Sequence, residues 1–191
     1  MLKTKIFAIV LMAMLIQGCN NSNENKKQNT NATTKQEVVP EKFTLTTLDN
    51  KPLHVTRTKD GFVIDEYKDK VIMFDIFATW CPPCRAEAQT LSDIQKKYKK
   101  DVVIIGLTVE DGIDNEKLNT FAKECDATYT LVNSHQNQKL IQAILKSLDV
   151  DGGSPIPFMV LYKDGKYIKH FVGATYEEFI TTEIKKALEK K

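Results

Sequence analysis

Histidine is scarce in this chain. There are three in 191 residues, at His54, His135 and His170, with no His-x-x-x-His spacing among them, and they are read as solvated side chains. Cysteine is little commoner, at four, and only Cys81 and Cys84 stand close together. Structural zinc takes four ligands, usually as two pairs, so the second half of such a site is missing. Neither sign of charge dominates: 27 Lys and Arg face 25 Asp and Glu. No basic stripe of the kind that nucleic acid requires is present, and there is no internal repeat. An unbroken apolar run stretches from Ile6 to Ile16. It falls well short of the roughly 20 residues needed to cross a bilayer.

What the chain does have is Trp80-Cys81-Pro82-Pro83-Cys84. Before it runs Val71 to Phe77, a strand-like apolar stretch. After it, Ala88, Leu91, Ile94 and Tyr98 recur at helical spacing on one face. The motif therefore sits where a buried strand hands over to a helix N-terminus. Two thiols three positions apart on a first helical turn share a side and fall within disulfide reach. The free N–H groups and dipole of that end favour an anion, here the Cys81 thiolate. Pro82 suits the first helical position. Pro83 removes a second donor, which leaves the Cys84 N–H among the nearest to the Cys81 sulfur. Cys-x-x-Cys beside a βαβ pattern points to thiol redox chemistry.

In chain order, Lys3, Lys5 and the apolar run fit a signal peptide over residues 1–18. The run ends in Leu15-Ile16-Gln17-Gly18-Cys19, which resembles the lipobox of bacterial lipoproteins and implies a lipidated Cys19. Residues 19–41 are then expected to be the anchor and a polar, disordered tether. Removing residues 1–18 takes away two lysines and no acid, so the remainder has no net charge. The folded domain is expected over 42–191. Phe43 to Leu48 and Pro52 to Val55 read as a hairpin, and Phe62 to Ile64 as a further short strand. Asp101 to Leu107 reads as a strand buried on both faces. Asp114 is placed to cap a helix, Tyr129 to Val132 to form a strand, and Gln138 to Leu148 an amphipathic helix. Phe158 to Tyr162, the turn at Asp164-Gly165, and Tyr167 to Val172 make a second hairpin. A last helix is expected to bury Tyr176, Phe179, Ile180, Ile184, Ala187 and Leu188. Cys125 reads as a buried packing residue.

From Lys70 to Glu87 the chain resembles the thioredoxin superfamily, and more closely its TlpA/ResA-like branch of membrane-tethered reductases. Pro155 to Lys166 resembles that superfamily's cis-proline strand and hairpin. The resemblance covers about residues 42 to 190. It implies an α/β thioredoxin fold: a central mixed β-sheet flanked by helices on both faces, with an N-terminal β-hairpin extension. It also implies a Cys81–Cys84 disulfide and a cis bond before Pro157. Trp80, Pro82, Pro83, Ile156 and Pro157 would then meet the substrate, with the Ile156 backbone presented to it like a strand edge. Asp75 lies where thioredoxin carries a buried acid, and Glu87 where the TlpA/ResA-like branch often carries a glutamate. Both are expected to handle the resolving thiol's proton.

The implied activity is that of a thiol–disulfide oxidoreductase, a reductase of envelope protein disulfides such as those of apocytochrome c. Cys81 attacks and Cys84 resolves. No cofactor is needed, because the cysteine pair carries the electrons. A DsbD- or CcdA-like membrane carrier is the implied electron donor. A monomer is expected, lipid-anchored in a bacterial cell envelope and facing the periplasm or exterior. An oxidase or isomerase of the same fold, and a copper-binding module using Cys81 and Cys84, are the alternatives.

Overall fold

Alternation decides which way each strand of the N-terminal region faces. In β1 (Lys42–Thr46) and β2 (Pro52–Arg57), every second residue is buried: Phe43 and Leu45, then Leu53 and Val55. That period puts one apolar face inward and leaves the other to solvent. The two pair antiparallel, and β3 (Phe62–Ile64) adds to β2. The expected hairpin is thus a three-stranded sheet of its own. The computed structural model describes residues 40–189. The expected signal peptide, Cys19 and all but the end of the tether lie outside the described residues.

The central sheet is built differently. Every residue of β4 (Val71–Phe77) is buried, and so is every residue of β5 (Val102–Thr108). Strands covered on both faces read as continuous apolar runs, and these two pair in parallel. Between them runs α1 (Pro82–Lys97), which buries Ala88, Leu91 and Ile94 as its spacing predicts. The Asp114 side chain caps α2 (Asn115–Glu124) by accepting the Lys117 amide at 2.7 Å. β6 (Thr130–Val132) pairs parallel with β5. Next come α3 (Asn137–Ser147), the hairpin of β7 (Phe158–Lys163) and β8 (Lys166–Val172), and α4 (Glu177–Glu189). The sheet order is β6-β5-β4-β7-β8, with β7 and β8 antiparallel to their neighbours. This is the mixed sheet expected, with helices on both faces.

Two cores result, one on each face of the sheet. Val71, Met73 and Phe77 point to the face shared with α1, α2 and α4. Ile72, Phe74 and Ile76 point to the face covered by α3 and the three-stranded sheet. One expectation fails at the C-terminus. Tyr176 is 77% and Phe179 55% exposed. The buried stripe of α4 is Ile180, Ile184 and Ala187. Phe179 lies about 100° around the helix from Ile180, and Tyr176 precedes the first turn.

Candidate active site

β4 delivers the chain to the redox turn, and its register decides what lies beneath. Alternation places Asp75 on the face of Met73 and Phe77, the same core that holds Cys81 and Cys84. Cys81 is the N-cap of α1, with extended backbone, and Pro82 and Pro83 occupy its first positions. The Cys84 amide donates to the Cys81 sulfur at 3.3 Å, the donor expected once both prolines have removed theirs. Cys81 and Cys84 are joined in a disulfide with Cα atoms 5.3 Å apart.

From its place at the helix N-terminus, Cys81 is expected to be partly exposed, with Cys84 buried a turn deeper. Here the two are equally buried, at 3% and 4% exposure. The reason is local. Bonded to Cys84 and accepting its amide, the Cys81 sulfur is folded back onto the helix end. Exposure falls instead on the neighbours Trp80, Pro82 and Pro83.

Asp75 and Glu87 are both buried. Glu87 follows Cys84 by three positions, so it lies on the same side of α1 one turn deeper. Burial of its charge pushes Asp75 up to about 7, and the Tyr129 hydroxyl, donating to Oδ2 at 2.9 Å, pulls it back. Burial also pushes Glu87 to about 7. The Thr175 amide, donating to Oε1 at 2.9 Å, lowers it, and the Asp75 charge raises it. Glu87 Oε2 is buried with no hydrogen-bond partner among the described residues. Glu87 also lines a cavity of about 320 Å³ with Ala86, Thr90, Ala174, Thr175 and Tyr176. Two carboxyls that exchange protons near neutrality thus stand on the dithiol side of the sheet.

The β7 end supplies the opposite wall. Ile76 pairs with Phe158, so Pro157 stands at the same sheet end as the exit of β4. The Ile156–Pro157 bond is cis, and Pro157 is buried. Ile156 packs against the core that contains both cysteines. Among the described residues its amide and carbonyl take no part in the sheet ladder or in a backbone turn bond.

Some of the site was not foreseen. Thr79, one residue before Trp80, is held through both its backbone amide and its carbonyl. Its amide and hydroxyl donate to Glu110 at 2.6 and 3.1 Å. Its carbonyl accepts from Arg85 at 3.1 Å, and Arg85 pairs with Glu124 at 2.9 Å. Burial raises Glu110, but hydrogen bonds from Lys117 and Thr79 outweigh it and hold the carboxyl below its usual range. Arg85 reads in sequence as an exposed helix residue, and nothing local links Glu110 to Thr79 across 31 positions. Tyr129 reads as the start of a strand, but lies one residue before β6 with its hydroxyl on Asp75. Cys125 is free and buried, as expected.

A family model described as Redoxin matches residues 40–188. The chain is 27% identical over 70 residues to thioredoxin-like protein YneN of Bacillus subtilis, covering 36% of this chain and 41% of that protein. It is 27% identical over 125 residues to thiol-disulfide oxidoreductase ResA of Bacillus thuringiensis, covering 64% of this chain and 66% of that one. It therefore spans less than two thirds of these relatives' length. Among solved structures, a thioredoxin-family thiol:disulfide interchange protein from Chlorobium tepidum superposes with a TM-score of 0.58 at 24% identity. That match covers 77% of this chain and 93% of the other.

Proposed function

Because the chain belongs to the Redoxin family, as a TlpA/ResA-like member of the thioredoxin superfamily, we propose that it is a thiol–disulfide oxidoreductase acting as a reductase of protein disulfides in the cell envelope. The observation that carries this reading is the Cys81–Cys84 pair at the head of α1, backed by two buried carboxyls.

In the reduced protein the Cys81 thiolate attacks one sulfur of a substrate disulfide. A bond forms between Cys81 and that sulfur, and the other substrate sulfur leaves as a thiolate. Cys84 then gives its proton to the Asp75–Glu87 pair and attacks Cys81. The mixed disulfide breaks, the substrate keeps two electrons, and the Cys81–Cys84 bond is restored. A carboxyl titrating near 7 suits the proton transfer, because it is a base strong enough to accept from a thiol and still partly ionised. Trp80, Pro82 and Pro83 form the exposed rim, and the unpaired Ile156 backbone beside Pro157 offers an edge to an extended substrate segment.

Lipid on Cys19 would confine the domain to a membrane face, and a DsbD- or CcdA-like carrier would re-reduce the pair. Apocytochrome c or another envelope protein is the expected substrate class. The protein is expected to work as a monomer. The test is Cys84→Ser in cells: Cys81 should then retain substrates as mixed disulfides. Absence of any Cys81-linked protein, with Cys84→Ser folded and present, would overturn the reductase reading. A reduction potential well above that of glutathione would assign the direction to oxidation instead.

A further inference from the structure

Asp75 lies in the middle of β4, opposite Gly106 on β5 and Met159 on β7. Neither neighbour donates a side-chain hydrogen bond. The partner it has among the described residues is the Tyr129 hydroxyl, 2.9 Å from Oδ2. That ring comes from some distance. Tyr129 directly precedes β6, and β6 pairs with β5, not with β4. To reach Asp75 the side chain crosses β5, and the position it crosses is Gly106. The backbone there has no positive φ, so its conformation does not call for glycine. What glycine supplies is room. A Cβ at 106 would stand 3.0 Å from Tyr129 Cε2 and 2.6 Å from Leu131 Cδ2.

We propose that Tyr129 is a positioning residue for Asp75, acting through the opening that Gly106 leaves in β5. Its hydroxyl ties Oδ2 and leaves Oδ1 to exchange the proton of Cys84. This rests on the reading of Asp75 as an acceptor for that proton. Burial alone would keep Asp75 neutral well above its ordinary range, and a neutral acid accepts nothing. A donated hydrogen bond favours the charged carboxylate and so keeps a working fraction of base. The other titratable groups around this pair are Glu87 from α1, which interacts with both Asp75 and Tyr129, and Cys125 from the end of α2, which acts on Tyr129. The Asp75 charge raises Glu87, and the Tyr129 hydroxyl is the group that lowers Asp75 against its burial.

The experiment titrates the Asp75 carboxyl by ¹³C NMR in the oxidised protein and in Tyr129→Phe. Alongside, the resolving rate of Cys84 on a preformed Cys81 mixed disulfide is followed across pH, with Asp75→Asn as control. Tyr129→Phe should raise the Asp75 midpoint by about one to two pH units, the size of a lost hydrogen bond to a charged group. The rising limb of the resolving rate should move by the same amount. An unmoved midpoint in folded Tyr129→Phe overturns the proposal, even if Asp75→Asn slows resolution. If Asp75→Asn resolves like wild type, the reading of Asp75 as acceptor fails instead, and the proposed role in catalysis falls with it. Should Tyr129→Phe not fold, 3-fluorotyrosine at position 129 replaces it. Its more acidic hydroxyl donates more strongly and should lower the midpoint, and no movement again overturns the proposal.

Discussion

Replacing Asp75 by Asn should make the fold less sensitive to pH, because the buried carboxyl is a charge that the folded state resists. Its folded value is about 7, against an ordinary 3.8. The folded state therefore holds this proton across a window, about pH 4 to 7, in which the unfolded chain has already released it. Wherever the folded state binds more protons, stability falls as pH rises. The Asp75 contribution is accordingly full below pH 4 and is lost as pH climbs through 7. Between pH 5 and pH 8 the loss comes to about 2–3 kcal/mol, at 1.36 kcal/mol per unit of displaced titration. Asn cannot ionise, fits the same space, and still offers an oxygen to the Tyr129 hydroxyl. Urea unfolding of the oxidised protein at several pH values, read with unchanged m-values, measures the difference. Wild type should lose about 2–3 kcal/mol more than Asp75→Asn between pH 5 and 8. Parallel stability curves for the two proteins would refute the claim that Asp75 is held protonated by burial. Glu87 titrates in the same sense and, being coupled to Asp75, should broaden the wild-type transition.

The double change Asp75→Asn, Glu87→Gln should slow resolution by Cys84 across pH 6 to 9 while altering the first attack by Cys81 less, and stopped-flow separation of the two steps checks it. In the reduced protein, Cys81 at the helix N-terminus should react with iodoacetamide faster than Cys84. Equal rates, read by mass spectrometry, would reverse or void the assignment of attacker and resolver. Gly106→Ala should cost about 1–3 kcal/mol by overpacking, seen in thermal or urea unfolding, because its Cβ meets Leu131 at 2.6 Å and the Tyr129 ring at 3.0 Å. The native N-terminus should be a lipidated Cys19, and mass spectrometry finding cleavage elsewhere with a free Cys19 thiol would remove the anchor.

Much of this molecule is legible in one dimension, because periodicity and turn chemistry are local. The short, nearly continuous apolar runs at Val71–Phe77 and Val102–Thr108 read as strands covered on both faces, and they are the centre of the sheet. Two prolines between two cysteines leave one amide to meet one sulfur, and that bond is there. The period of two along β4 already aims Asp75 to the side of Met73 and Phe77. What periodicity does not carry is identity at a distance. Nothing in the order of residues says that Glu110 will accept the Thr79 amide, or that Arg85 will donate to the Thr79 carbonyl. The first contact exists because β4 and β5 run in parallel with Phe77 beside Thr108, which brings together the loops that leave them, and Arg85 is held in place from the end of α2 by Glu124. The failure at Phe179 has the same origin: an apolar residue at a plausible spacing stays exposed when the packing partner lies one step around the helix. Tyr129 is the clearest case. Its meaning depends on a missing side chain at Gly106, two strands of shared register, and an acid more than fifty positions away, and only their meeting in space turns a strand-end tyrosine into a partner of the redox site.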